Sequence, residues 1–189
     1  MSVKTKPRCA WVPLDKPDYV AYHDREWGRP VHSDKKLFEM LILEGAQAGL
    51  SWYTILRRRE EYRKTFKSFN PKAVAAMTDA QLQQALKHSG IIRNRLKILA
   101  ARKNAHAFLA IQKEFGSFNK YVWGFVGGKP DIHRPQSLKQ ISKAVPASDA
   151  LSRDLKKRGM SFVGSGIIYA YMQAVGLVND HMRGCYLCR

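Results

Sequence analysis

The sequence predicts an all-α protein, and three observations carry that reading. Apolar residues recur at helical spacing along most of the 189 residues. Residues that start and stop helices fall at the ends of those runs. No two stretches pair as strands with turn chemistry between them; Phe118 to Val126 could be extended, but it has no hairpin partner. About eight short helices are expected, without internal repeat or long linker, in one domain spanning residues 1–189 or in two lobes of it.

In chain order, Asp34 to Gln47 reads as a helix with Leu37, Phe38, Leu41, Ile42 and Ala48 near its apolar side. Ser51 caps the next helix, which runs from Trp52 through Arg57-Arg-Arg-Glu-Glu61. Asn70-Pro71 is a cap followed by proline at the first helical position. Thr78-Asp79 starts a helix that Gly90 ends, and Ile91 to Leu109 continues as a long basic helix. Ser148-Asp149 caps a helix that stops at Gly159. The last core helix covers Ser165 to Val175, with Gly176 behind it. The stretch from Gly127-Gly-Lys-Pro130 to Val145 is the longest irregular region.

Thirty-three Lys and Arg against fifteen Asp and Glu give a net charge of +18. A small domain usually carries about 2–8. The excess predicts a polyanionic partner, nucleic acid first and an anionic membrane surface second. Ser161 to Asn179 holds 19 residues without a charge, long enough to imitate a membrane span. Its three glycines, two serines and Gln173 fit a helix buried in a protein core instead, so no membrane partner is expected. With 45% apolar residues the chain can bury a core without disulfides, and three cysteines are too few for a disulfide scaffold. The opening Met1-Ser-Val-Lys-Thr-Lys6 has no apolar signal region. A reducing, intracellular and cytoplasmic setting follows as the expectation.

Cys9 and His23 are spaced C-x13-H, and His181 and Cys185 are spaced H-x3-C. If helical, the second pair shares one face. Two thiolates and two imidazoles suit tetrahedral zinc, which would fasten the two ends of the chain together. The halves lie ~160 residues apart, far from the ~12–15 of a zinc finger. On spacing alone, two buried reduced cysteines and two ordinary histidines are the simpler explanation.

Three further stretches could carry chemistry. Tyr22-His-Asp-Arg-Glu-Trp-Gly28 packs aromatics around His23, or is a folded surface loop with an aromatic anchor. Leu43-Glu-Gly-Ala-Gln-Ala-Gly-Leu-Ser-Trp52 puts Glu44 on the apolar side of its helix, where a carboxylate is either ion-paired or held for a purpose. Leu155-Lys-Lys-Arg-Gly-Met-Ser-Phe-Val-Gly-Ser-Gly-Ile167 reads as helix, tight turn, helix. Amides at the start of its second helix would face a phosphate, as in a helix-hairpin-helix that grips a DNA backbone, although plain αα-turns are common. Nucleotide-hydrolysis, dinucleotide, nucleophile-elbow and zinc-protease motifs are absent.

Taken together, Arg8-Cys-Ala-Trp-Val12, Tyr22-His-Asp through Glu26-Trp-Gly28, Glu44 through Gly49-Leu-Ser-Trp52, Gly90-Ile-Ile-Arg93 and Gly176-Leu-Val-Asn-Asp-His181 resemble the DNA-3-methyladenine glycosylase I family. The motifs run from Cys9 to Cys185, so the resemblance covers nearly the whole chain. It implies the all-α helix-hairpin-helix glycosylase architecture, with one structural zinc held by Cys9, His23, His181 and Cys185. Glu44 matches the carboxylate that contacts the excised base and is the residue to which catalysis would be assigned. Tyr22 and Trp52 match aromatic walls of the base pocket, with Trp11 and Trp27 nearby. Lys156, Lys157, Arg158, Val163, Gly164, Ser165 and Gly166 match the phosphate-binding hairpin. Gly49 and Leu50 are expected near the gap that the base leaves.

The implied activity is excision of 3-methyladenine from alkylated double-stranded DNA by a monomer, with free 3-methyladenine as product and no lyase step. Asp180 stands beside a proposed zinc ligand and is expected to be structural. Two other readings are a zinc-stapled nucleic-acid-binding module without catalysis and a bifunctional glycosylase/lyase acting on another lesion.

Overall fold

The structure, a computed structural model, describes residues 6–188; of the opening stretch read for a signal region, residues 1–5 lie outside them. Ten α-helices are present among the described residues: α1 Pro17–Arg25, α2 Asp34–Gln47, α3 Trp52–Leu56, α4 Arg59–Thr65, α5 Pro71–Ala75, α6 Asp79–Lys87, α7 Arg95–Phe115, α8 Phe118–Gly124, α9 Pro146–Lys157 and α10 Ser165–Ala174. None of them is long and apolar enough to cross a membrane.

Helix α2 is the axis of the fold. From Leu37 to Ala46 every residue is buried, so the helix is enclosed on all sides rather than amphipathic. It packs against α3, α7, α8 and α10. Phe38 meets Phe108 of α7 edge-on at 5.0 Å, and Phe108 stacks on Phe118 of α8 at 4.0 Å. Each such fully buried ring contributes about 1.5–3 kcal/mol of hydrophobic stabilisation. Asp34, at the start of α2, accepts the backbone amides of Phe118 (2.9 Å) and Asn119 (2.8 Å), which ties the start of α8 to it.

Local signals set many boundaries. Ser51 accepts Thr54 N–H, Asn70 accepts the amides of Lys72 and Ala73, and Thr78 with Gln81 forms a capping box. Elsewhere the structure corrects the sequence reading. The helix from Trp52 breaks at Arg58, so that Arg59 can turn inward and bind Glu26 and Glu39. Helix α6 ends at Lys87 with His88 extended, and Gly90 is not its stop: a Cβ there would lie 2.8 Å from Glu61 Cγ, so Gly90 permits close packing. The long basic helix begins at Arg95, where the Asn94 side chain caps it, and ends where Gly116 turns left-handed at φ 82°.

Phe118 to Gly124 is helical rather than extended, with Ser117 as its cap. Helix α9 is entered through Val145 and Pro146, while Ser148 hydrogen-bonds back to Val145. The stretch at Tyr22 and His23 is helix α1, not a loop. His181 to Cys185 is a turn through Gly184 (φ 89°) rather than helix, yet it still brings both side chains to one place.

The fold also holds a pairing that the sequence reading lacks. Strand β1 (Asp131–Ile132) runs parallel to β2 (Val178–Asn179), with Asp131 opposite Val178. It fastens the irregular region to the chain segment behind α10. Gly176 precedes it at φ 71°, and a Cβ there would meet the Arg29 carbonyl carbon at 2.3 Å.

Candidate active site

A cavity of about 370 Å³ opens between α1, α2, α3 and α10. Its walls include Trp11, Tyr19, Tyr22, Trp27 and Trp52, with Glu44, Gln47 and Gln173 as polar groups. The structure thus brings together all five pocket residues that the sequence reading named. Tyr19, Gln47, Leu138, Ile141, Ala170 and Gln173 complete the lining, and that reading lacked them. Tyr19 was detectable as the i−3 neighbour of Tyr22 on α1. Leu138 and Ile141 come from the irregular region, where no periodicity announces them.

Helix geometry sets the walls. Tyr22 lies on α1, Glu44 in the last turn of α2, and Trp52 at the start of α3 just past the Ser51 cap. The Tyr22 and Trp52 rings lie 5.1 Å apart at 42°, and Trp11 meets Trp27 edge-on at 4.7 Å. Burial and the nearby Glu44 raise the pKa of Tyr22 well above its ordinary value, so it stays a neutral phenol. Trp52 Nε1–H is buried without a hydrogen-bond partner among the described residues.

Glu44 is the anomaly. It is 4% exposed, and burial alone pushes its pKa up to about 8. Among the described residues, no cation or hydrogen-bond donor offsets that burial. By contrast Glu39, on the same helix, is held below the carboxylate range against its burial by Arg59, Lys36 and Arg63. The ion-pair reading that the sequence left open for Glu44 belongs to its neighbour. A cavity lined by aromatic faces, with one unpaired carboxyl group, suits a flat cationic ring that can donate hydrogen bonds.

Cys9, His23 and Cys185 offer ligand atoms within 4.8 Å of one another, all buried. The Cys185 sulfur lies 3.6 Å from His23 Nε2. His181 stands beside them, its ring centroid 5.2 Å from that of His23. His181 Nδ1 is tied to Asn179 Oδ1 at 2.9 Å, while its buried Nε2 has no partner among the described residues. His23 Nδ1 is held by Asp24 Oδ1 at 2.8 Å, and Arg8 in turn holds Asp24. Both imidazoles therefore present Nε2, in the arrangement that outer-shell partners impose on metal-bound histidines. Burial keeps both rings neutral, lowering His181 to about 4, and burial pushes the Cys9 thiol up to about 12. Two sulfurs with two nitrogens fit zinc, whose charge would offset that of the thiolates. Trp27 joins the two features: its ring lies 4.8 Å from that of His181 and also lines the cavity.

Helices α9 and α10 pack against each other across a turn at residues 158–164. Val163 is buried, Gly164 caps α10, and Ser165 and Gly166 open it, so this helix start has no side-chain cap. Lys156 and Lys157 are exposed beside it. Arg158 differs from them. It is engaged by Glu114 (2.6 Å) and Asp154 (2.6 Å) and lies over the rings of Phe115 and Tyr121. Gly49 turns left-handed at φ 78° with open space around it, and Leu50 is 39% exposed at its tip. Asp180 lies outside the cavity lining; it is 1% exposed and accepts hydrogen bonds from Tyr169, Gln173 and His133.

The chain matches the methyladenine glycosylase family over residues 11–189. DNA-3-methyladenine glycosylase 1 of Escherichia coli (strain K12) is 51% identical over 178 residues, which cover 94% of this chain and 95% of that protein. A crystal structure of 3-methyladenine DNA glycosylase I matches with a TM-score of 0.93 at 51% identity, over 96% of this chain and 100% of the other. A tyrosine-to-phenylalanine variant of a 3-methyladenine DNA glycosylase I, solved in complex with 3-methyladenine, matches at 34% identity with a TM-score of 0.93, over 96% of this chain and 97% of its own.

Proposed function

The chain belongs to the methyladenine glycosylase family and is a hydrolase of N-glycosyl bonds in DNA, and we propose that it flips 3-methyladenine out of alkylated duplex DNA into the Glu44 cavity and releases the base without a lyase step. The observation that carries this reading is the buried, unpaired Glu44 among aromatic walls. Methylation at N3 makes the adenine cationic while it is still attached to the sugar. The base then needs no protonation to leave, and so no general acid.

The residues divide the work as follows. Tyr22 and Trp52 present ring faces to the cation, worth about 0.5–2 kcal/mol per contact. Trp11 and Trp27 close the cavity and exclude water from the ring. In an empty cavity burial favours the neutral acid form of Glu44. A cationic base beside it favours the carboxylate, which then accepts the exocyclic amino group. Undamaged adenine brings no charge, so the neutral acid stays favoured beside it and the charge-assisted bond does not form. Selection therefore rests on charge and stacking more than on shape. Extrusion itself costs a few kcal/mol, least for a damaged base.

The amides at Val163 to Gly166, with Lys156 and Lys157, would grip backbone phosphates in the helix-hairpin-helix manner, and Gly49-Leu50 would fill the vacated gap. One structural zinc on Cys9, His23, His181 and Cys185 would supply the charge that lets both sulfurs be thiolates and would hold the α1 wall against the C-terminal turn. The test is release of free 3-methyladenine from methylated duplex by the purified protein, with borohydride trapping of the same reaction as the lyase control. Release without a trapped adduct is the expected result. A trapped enzyme–DNA adduct would overturn the monofunctional reading.

A further inference from the structure

Helix α7 contributes no residue to the cavity, yet it touches both turns assigned to DNA. At its start, Lys97 Nζ donates to the carbonyls of Ala46 (2.8 Å) and Ala48 (2.5 Å). These are orphan carbonyls at the end of α2, one and three residues before Gly49, and a cation there also complements the helix dipole. Two turns further along, Asn104 takes the other site. Its amide donates to Ser161 O at 2.9 Å, and Ser161 N–H donates to its Oδ1 at 2.9 Å. Asn104 is 4% exposed, so this two-way clamp is shielded from water. Lys103 adds a bond to Ser161 Oγ at 3.3 Å.

Lys97 and Asn104 are seven residues apart, hence on one face of α7 and about 10 Å apart along its axis. The two turns also meet α2 directly: a Cβ on Gly45, next to Glu44, would lie 3.3 Å from Phe162 Cβ. Phe162 itself adopts φ 57°, a conformation that a phenylalanine rarely takes unless its surroundings hold it there.

We infer that Lys97 and Asn104 are positioning residues: from one face of α7 they set the separation between the gap-side turn at Gly49-Leu50 and the phosphate-side turn at Ser161-Phe162, and register both on Glu44. This rests on the DNA roles of those turns proposed above. If the turns drift apart, the cavity still holds a free base. The duplex, however, can no longer be gripped and wedged at the spacing that carries the extruded base to Glu44. Lys97 acts on the wedge, and Asn104 acts on the grip.

The test is single-turnover excision from methylated duplex, duplex affinity, and binding of free 3-methyladenine, measured on the same variants. Lys97→Met should slow excision by about tenfold to a hundredfold, as a small misplacement does, with free-base affinity within about twofold of wild type. Lys97→Arg should recover most of the rate, because it still offers donors to both carbonyls. If the Met variant does not fold, Lys97→Gln, with two N–H donors on a shorter arm, gives the same reading. Asn104→Ala should appear as weaker duplex binding with normal free-base binding. In a double variant with Leu50→Gly, Lys97→Met should add little further slowing, since both act through one turn.

Wild-type excision by Lys97→Met, or loss of free-base affinity in proportion to the rate, overturns the inference. Leu50→Gly separates it from its premise. Leu50→Gly at the wild-type rate removes the gap-filling role and the inference with it. A slowed Leu50→Gly beside an unaffected Lys97→Met removes the inference alone.

Discussion

A Cβ placed on Gly28 would lie 2.5 Å from Cε1 of His181, a residue at the other end of the chain. The two ends of the protein meet at a point where only a hydrogen fits. Gly28 also holds φ 71°, which an L side chain adopts at about 1–2 kcal/mol. Gly28→Ala should therefore displace the His181 ring and lower the melting temperature by several degrees. It should reduce metal content at the same time. A variant with wild-type melting and metal content would show that His181 has slack the structure does not display.

Metal removal tests the same corner directly. Elemental analysis should find one zinc per chain, and a strong chelator should lower the melting temperature, because the site's binding energy becomes folding energy. His181→Ala should lose stability while its folded fraction binds 3-methyladenine normally, since His181 reaches the cavity only through Trp27. A metal-free protein with unchanged melting and activity would refute the structural zinc.

Glu44 yields a pH prediction with a definite sign. Its folded pKa, about 8, lies above the ordinary value of 4.5. Below pH 4.5 both folded and unfolded states hold the proton, and this group takes nothing from stability. Between 4.5 and 8 the unfolded chain ionises while the folded one does not, so stability is lost as pH rises through that window and levels off above it. The loss should amount to a few kcal/mol. Glu44→Gln removes the titration, so the difference in melting temperature between variant and wild type should widen from pH 5 to 8. The same variant should bind a cationic 3-methyladenine nucleotide more weakly by about 1.5–3 kcal/mol, as expected for a lost charge-assisted hydrogen bond. Unchanged affinity for that cationic nucleotide would sink the recognition role.

The hairpin cations should separate by experiment. Duplex affinity should fall steeply with salt and depend little on sequence. Lys157→Ala should reduce the salt slope by about one unit. Arg158→Ala should leave that slope unchanged and lower stability slightly, because Arg158 is engaged by Glu114 and Asp154. Equal slopes for the two variants would show that Arg158 leaves its carboxylates to meet phosphate.

Asp180→Asn should destabilise the fold, since it places an amide among the Tyr169, Gln173 and His133 donors to a buried carboxylate. Excision by the folded fraction should be normal. Abolished excision with an unchanged melting temperature would make Asp180 part of the chemistry.

The site was legible wherever chemistry is local to the residue. Glu44 stood out because a carboxylate interrupted an apolar stripe, and its spacing from Leu37 and Leu41 placed it inward. Cys9, His23, His181 and Cys185 stood out by type, although the second pair meets the first from a turn and not from the expected helix. Tyr19 has a readable i, i+3 relation to Tyr22, but nothing in the sequence marks α1 as the helix that would make use of it. Leu138, Ile141 and Gln173 reach the cavity through long-range packing, for which no local pattern exists.

The sequence by itself determined the helical class, most of the caps, the basic charge and the presence of an inward carboxylate. Each follows from interactions within a few residues or from summed charge. Only the tertiary structure decided where helices break, as at Arg58, where the Arg59 ion pairs outweigh one more helical turn. Only the tertiary structure decided, too, which carboxylate is paired: among the described residues Glu39 meets three cations and Glu44 meets none, although both lie inward on one helix. A side chain's partner across the core depends on how distant elements dock, and that docking is set by burial summed over the whole chain rather than by any residue's neighbours in sequence.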